Sequence, residues 1–262
     1  VGAWHEYMDH LPDMMQRWLL QSKLSKTRLC VADSTGAALS ALRTMVGVFL
    51  FRGALKNLLK DQSHVALCLP TSVAGSLSLL SLWSLAKTAV QLNYTSSHEA
   101  LINALEQAGI KKIITSYRFM EKLKQKGFDV AEVFKDYDLI FLEDIKRGIS
   151  PLKKILTLAF TAIAPTALLK RCYLKTIDQN QIATILFSSG SEGAPKGVQL
   201  SFKNLYGNAL QALSALEPRP DDTLLATLPI FHAFGLTATV LMPLIEGVPV
   251  VCHPDPRDAV AI

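Results

Sequence analysis

Apolar residues along this chain fall into two rhythms. The first thirty residues space Trp4, Met8, Leu11, Met14, Met15, Trp18 and Leu19 as one face of a helix. They predict a helical lead or linker over residues 1–30. From there short β-rich runs alternate with longer helical ones. LCVADS (29–34) predicts a strand ending in a turn, and residues 38–62 predict one long helix. HVALCLP (64–70) predicts a strand, and residues 72–88 a helix capped by Thr71 or Ser72. AVQLNYT (89–95) predicts a strand. The helix after it starts at Ser96 or Ser97, carries Glu99 in its first turn and stops at Gly109. KKIITS (111–116) and YDLIFLEDI (137–145) predict further strands, with a helix over 118–127 between them. After a break at 146–176 the alternation resumes with IATILF (182–187), a helix over 201–216, TLLATLP (223–229), a helix beginning near His232, and VPVVCH (248–253). Strands alternating with helices predict an α/β fold, a mostly parallel sheet with helices on both faces, over residues 31–262.

Residues 146–176 read as an apolar excursion. Their run ILTLAFTAIAPTALL (155–169) is shorter than the ~20 residues a membrane-spanning helix requires, and so is VAGSLSLLSLWSLA (73–86). Lys153, Lys154, Lys170 and Arg171 flank the first of these runs. That suits either a segment lying in a membrane interface, through 153–171, or a buried helix pair broken at Pro165. Half the residues are hydrophobic, which suits apolar surface that packs on further protein or rests on a membrane.

The net charge of +5 comes from scattered basic residues. With no nucleic-acid motif beside them, they point away from nucleic acid and toward solvated faces, an acidic partner or anionic lipid. Cys30, Cys68, Cys172 and Cys252 are far apart in sequence and mostly beside apolar residues. They form no metal-ligand spacing, so no metal site is expected in this stretch, and they fit core thiols in a reducing compartment. No signal peptide is legible at the start.

The chemistry concentrates in SSGSEGAPKG (188–197), between a strand and the elements leading to a helix. Gly lets backbone N–H groups converge, a helix N-terminus adds donors, Ser hydroxyls donate to phosphate oxygens, and Lys196 offsets anionic charge. The same composition also suits an ordinary turn. A Walker loop is excluded, because Pro195 precedes Lys196 and Gly197 follows it, and no G-x-G triplet occurs here.

The loop resembles the signature of the adenylate-forming acyl ligases, [ST]-[ST]-G-[ST]-x-G-x-P-K-G-V. Ser188, Ser189, Gly190, Ser191, Gly193, Pro195, Lys196, Gly197 and Val198 match it. LPIFHAFGLT (228–237) resembles that family's L-P-x-F-H-x-x-G segment, and residues 67–97 resemble a third, except that Ala86-Lys87 stands where a Gly is usual. Glu192, in place of the usual Thr, together with FHAFGLT, IITSYRFMEKL and LIFLEDI, is similar to the ligase part of the bifunctional 2-acylglycerophosphoethanolamine acyltransferase/acyl-carrier-protein synthetases. The likeness runs from about residue 35 to the end. His5 leads to His10 and His64 to Leu69, so neither begins an acyltransferase H-x-x-x-x-D box.

This resemblance implies the first part of the large N-terminal domain of an adenylate-forming ligase. It implies ATP-dependent activation of a long-chain fatty acid to acyl-AMP, then transfer to the thiol of acyl carrier protein, with coenzyme A as the alternative acceptor. Ser188, Ser189, Gly190, Ser191, Glu192, Gly193, Lys196 and Gly197 would hold the ATP phosphates, Glu192 through Mg2+ or Lys196 or by facing solvent. Phe231, His232, Phe234 and Gly235 would form the acyl and carboxylate pocket. The family's Y-G-x-[TS]-E segment with its Mg2+ ligand, its ribose-binding Asp and its C-terminal Lys are expected beyond Ile262, so this stretch alone is expected not to complete adenylation. Residence on the cytoplasmic side, peripheral to or anchored at the inner membrane through the parent chain, is implied as well. A non-catalytic lipid-interaction module is the reading from another class.

Overall fold

The computed structural model describes residues 13–188, 195–219 and 221–254. The chain opens with helix α1 (Met14–Leu24), capped by Asp13, whose carboxylate accepts from the Gln16 N–H at 2.8 Å. Met14, Met15, Trp18 and Leu19 are buried in the main core, so the inward face of this helix is the apolar stripe expected from the sequence. Trp4, Met8 and Leu11 lie outside the described residues.

Strand β1 (Leu29–Asp33) turns back into β2 (Ala38–Ser40). Helix α2 (Ala41–Leu58) follows, its first turn capped by Ser40. The long helix expected from residue 38 therefore loses its first three residues to a strand. Four repeats of strand and helix come next, and the last leads into a fifth strand. They are β3 (His64–Leu67), α3 (Val73–Ser84), β4 (Thr88–Gln91), α4 (His98–Gln107), β5 (Lys112–Thr115), α5 (Tyr117–Gln125) with α6 (Ala131–Phe134), β6 (Asp138–Phe141), and the run α7 (Leu142–Gly148), α8 (Pro151–Ile163) and α9 (Thr166–Tyr173) into β7 (Ile182–Phe187). Ser72 and Ser97 cap α3 and α4, and Gly109 takes φ +60 after α4. The expected strand over 137–145 ends at Phe141, because Leu142 begins α7. Strand β8 (Gly197–Ser201), helix α10 (Phe202–Leu216), β9 (Leu224–Ala226), a helical stretch from α11 (Ala233–Leu236) through a π-turn (Thr237–Leu241) to α12 (Met242–Glu246), and β10 (Val250–Cys252) complete the order.

The strands form two sheets, where the sequence predicted one. The larger has the order β6-β5-β3-β4-β7-β8, parallel except for the β7–β8 pair. The smaller has the order β2-β1-β10-β9, joining strands from the two ends of the chain. The β1–β10 pairing leaves no local signature, because its partners are remote in sequence. Successive residues of a strand face opposite sides. Val65 and Leu67 accordingly enter the core shared with α1, α2 and α3, while Ala66 and Cys68 enter a second core under α4, α5 and α6. The expected helices on both faces of a mostly parallel sheet are thus present on the larger sheet.

The apolar run 73–86 is a buried helix. Three of its serines are satisfied within the protein, Ser78 Oγ by Ala74 O, Ser81 Oγ by Leu77 O and Ser84 Oγ by Ser81 O, and Trp83 Nε1 donates to Ala183 O at 2.9 Å. Ala86 follows with φ 53, a left-handed conformation that costs an L-residue about 1–2 kcal/mol. It occupies the place where the resembled family usually has Gly. Its methyl is buried, and burial of one methyl returns about 0.8 kcal/mol. Residues 151–173 are a helix pair broken at Pro165, docked on α2 by stacking of Tyr173 on Phe49 at 3.9 Å. Among the described residues no helix is long and apolar enough to cross a membrane.

Candidate functional site

Three loops converge on the C-terminal edge of the larger sheet. The connections leaving β3 and β4 run to helices on opposite faces, so these neighbouring loops diverge and leave an opening at the strand ends, the usual place for a ligand in an open α/β sheet.

The loop after β3 and the loop after β9 share one construction. Each leaves its strand through Leu-Pro (Leu69-Pro70, Leu228-Pro229) and enters a helix three residues before a glycine. Ser72 and His232 are the N-caps, and Gly75 and Gly235 are the third helical residues. In both, the glycine lies against the carbonyl of its proline: an added Cβ would sit 2.4 Å from Pro70 O and 2.3 Å from Pro229 O. Only a residue without Cβ permits this approach. Thr71 Oγ1 donates to Leu228 O at 2.7 Å and ties the two loops together. Asp33, at the end of β1, accepts from the Val73 N–H at 2.9 Å and fixes the smaller sheet to the start of α3.

His232 and Phe234 are exposed, Phe234 by 67%, while Phe231 is buried. Phe231 packs edge-on against Tyr94 at 4.9 Å, and Tyr94 packs likewise against Phe119. These rings belong to the second core, whose members include Ile185 and, at its margin, Phe187 of β7. The His232 ring lies 4.6 Å from that of Phe231, so the buried ring carries the exposed histidine at the sheet edge. Burial, with a smaller contribution from Cys68, holds the Tyr94 phenol above its ordinary pKa, so it is protonated at neutral pH. Beside Tyr94, the β4–α4 loop and Gly127–Val130 border a recess of about 310 Å³.

The SSGSEGAPKG segment departs from the expected strand, loop and helix. It joins β7 to the antiparallel β8, and α10 starts only at Phe202, one strand length or about 17 Å away. The N-terminus of α10 is closed by a capping box between Ser201 and Asn204. The helix therefore supplies no donors to the loop. The alternation around Val198 and Leu200 obeys the strand period and overrides the helical reading.

The neck of the loop is held by two hydrogen bonds, Ser188 N–H to Lys196 O at 3.0 Å and Lys196 N–H to Ser188 Oγ at 3.2 Å. Gln107 of α4 donates to Pro195 O at 3.1 Å. Gly197 faces Phe187, whose ring an added Cβ would meet at 3.2 Å. Lys196 is exposed. Ser189, Gly190, Ser191, Glu192 and Gly193 lie outside the described residues.

The structure thus brings the neck of the 188–197 loop and the 228–235 loop to one sheet edge, through the shared cluster of Ile185, Phe187, Tyr94 and Phe231. Sequence reasoning did not single out Tyr94, although it lies in the resembled 67–97 stretch, nor Asp33 and Gln107, which carry no motif of their own. It saw Thr71 only as a capping residue. The repeated Leu-Pro before each glycine was the available signal. Cys30, Cys68 and Cys252 are buried thiols pushed up to about 11, 12 and 12 by burial, in keeping with core roles, and Cys172 is exposed.

The model of the family described as AMP-binding enzyme matches residues 51–262. A 4-coumarate–CoA ligase-like protein of Arabidopsis thaliana is 30% identical over 182 residues, 68% of this chain and 30% of that protein. A 2-succinylbenzoate–CoA ligase of Bacillus pumilus is 42% identical over 76 residues, 29% of this chain and 15% of that protein. The matched stretches thus span less than a third of these curated relatives. Among solved structures, o-succinylbenzoate CoA synthetase from Bacillus subtilis in complex with its acyl-adenylate intermediate superposes with a TM-score of 0.69 at 20% identity, over 91% of this chain and 56% of that one. The N-terminal domain of FACL13 from Mycobacterium tuberculosis superposes with a TM-score of 0.72 at 19% identity, over 94% and 58%. These likenesses establish the fold. With the family model covering most of its length, and with the two loops meeting at one sheet edge, the chain belongs to the AMP-binding enzyme family of adenylate-forming ligases.

Proposed function

We propose that this chain is the phosphate-holding and acid-holding part of an ATP-dependent acid–thiol ligase. In the first half-reaction a carboxylate oxygen bonds to the α-phosphorus of ATP and the bond to pyrophosphate breaks. In the second the sulfur of a thiol bonds to the acyl carbon, AMP leaves with the bonding pair, and the thiol proton is released. Charge develops on phosphate oxygens in both, so fixed donors and cations supply most of the rate enhancement.

The observation that carries this reading is the convergence of the Ser188–Lys196 neck and the Phe231–His232 loop on one strand edge. Ser188 and Lys196 would meet the phosphates, with Ser189, Gly190, Ser191, Glu192, Gly193 and Gly197 completing the loop. His232, held on Phe231, would orient the carboxylate, with Gly235 allowing close approach and Phe234 offering an apolar ring to the acyl chain. Mg2+ would accompany ATP and offset its charge. The described residues contain no group of three or more His, Cys, Asp or Glu side chains able to hold a metal ion, so no step here is assigned to one of them through it.

For the acid, the Glu192-containing loop supports a long-chain fatty acid and acyl carrier protein as acceptor. The relatives named as CoA ligases favour coenzyme A as the second reading of the acceptor. The test is pyrophosphate release by the full-length product of the gene, with ATP, Mg2+ and palmitate, 4-coumarate or o-succinylbenzoate, and with each thiol in turn. Palmitate-dependent release is expected, falling at least tenfold in Lys196→Ala, a loss of about 1.4 kcal/mol of transition-state stabilisation. A folded protein releasing no pyrophosphate with any acid would overturn the ligase reading and favour the non-catalytic module.

A further inference from the structure

Helix α8 is amphipathic in the wrong sense for a helix packed on a protein core. Its inward face carries Thr157 and Thr161, both buried, with the Thr161 hydroxyl turned back onto Thr157 O at 2.7 Å. Its outward face carries Leu152, Ile155, Leu156, Ala159 and Ile163, spaced i, i+3, i+4, i+7 and i+11, and Ile163 is 83% exposed. Leu168 of α9 is exposed as well.

This stripe sits on a rigid base. Lys23 of α1 donates to Thr161 O and Ala164 O at 3.0 and 2.7 Å, and Lys26 donates to Ala162 O at 2.9 Å. The last carbonyls of α8 are thereby satisfied, and two cations lie at its negative end. Phe160 packs against Tyr173, and Leu169 enters the main core. The outward apolar face is therefore a fixed feature of the fold.

The charge around the stripe identifies its occupant. From Ile145 to Ile177 there is no acidic residue, whereas Lys146, Arg147, Lys153, Lys154, Lys170, Arg171 and Lys175 all fall in that interval. All seven are exposed. Arg147 is ion-paired with Asp144, just before this interval. An apolar stripe of about 20 Å flanked by the other six cations matches a bilayer that carries anionic headgroups over an apolar interior. A second protein would need acidic groups aligned at both ends of an apolar groove.

We propose that α8 and α9 form a docking surface for an anionic lipid bilayer, with Leu152, Ile155, Leu156 and Ile163 entering the acyl region and the flanking Lys and Arg meeting the headgroups. The inference does not depend on the ligase reading, because binding is measured without ATP, acid or thiol.

The test is co-sedimentation of the full-length protein with vesicles of phosphatidylcholine alone or with 30% phosphatidylglycerol. Binding to the anionic vesicles is expected to exceed binding to the neutral ones at least tenfold and to weaken with salt. Ile155→Glu with Ile163→Glu, and separately Lys153→Gln with Lys154→Gln, are each expected to reduce it at least tenfold with circular dichroism unchanged. Leu216→Glu, at an equally exposed leucine on α10, is expected to leave it unchanged. Undiminished binding in both α8 variants would overturn the proposal. So would absence of binding by the parent protein, including the case in which Ile155→Glu instead dissociates a dimer.

Discussion

Gly235→Ala separates two physical effects of opposite sign. In the interior of a helix, replacing Gly by Ala normally stabilises by about 1 kcal/mol. Here the new Cβ would lie 2.3 Å from Pro229 O, 3.0 Å from Pro229 C and 3.2 Å from Leu228 C, all backbone atoms. Ordinary carbon–oxygen contacts begin near about 3.3 Å, so the loop must retreat by about 1 Å. That loop is tied to Thr71 and carries Phe231 into the second core, so it retreats only by disturbing both. Overpacking costs about 1–3 kcal/mol, and backbone contact puts this site at the upper end. Less the helical gain, the net loss is about 2 kcal/mol, or roughly 4–8 °C in the melting midpoint. Gly53→Ala is the internal control. It sits within α2 and its Cβ would meet only the flexible end of Lys153 at 3.7 Å, so about 1 kcal/mol of stabilisation is expected. Urea unfolding of the two variants measures both values. If Gly235→Ala proves as stable as Gly53→Ala, the close approach that places His232 is not a constraint, and the account of the 228–235 loop is wrong.

Thr71→Val keeps the shape of a fully buried side chain but leaves Leu228 O without its 2.7 Å donor, so a loss of about 1–3 kcal/mol is expected in urea unfolding, with Thr71→Ser restoring most of it. Glu143 of α7 closes the start of α5, accepting from Ser116 Oγ at 2.8 Å and from the Tyr117 N–H at 3.2 Å. Burial pushes its carboxyl pKa up, but these bonds and that from the Arg118 N–H outweigh it, and the net shift is downward. A depressed carboxyl stabilises the fold above its unfolded pKa, and the benefit is lost as pH falls through the folded value. Glu143→Gln is therefore expected to cost about 1 kcal/mol at pH 7, with the difference from the parent protein shrinking below pH 4. A difference that stays constant from pH 7 to pH 3 would show that the carboxylate charge plays no part.

The local signals in this sequence translated directly into structure. Ser72 and Ser97 cap the helices they precede, Gly109 ends one, and Pro165 breaks the apolar pair, because each acts within a few residues of itself. The 188–197 and 228–237 segments stood out as candidate sites for the same reason, since their Gly, Ser, Lys and His lie close together along the chain. Three features were decided only by tertiary structure. The second sheet pairs β1 with β10 across more than two hundred residues, which no local pattern encodes. The loop at 188–197 became a hairpin once β8 found β7 as a partner. The outward turn of the Leu and Ile face of α8 could not be read from its periodicity. A hydrophobic period fixes which residues share a face of a helix, but only the position of the remaining protein fixes whether that face turns inward or outward.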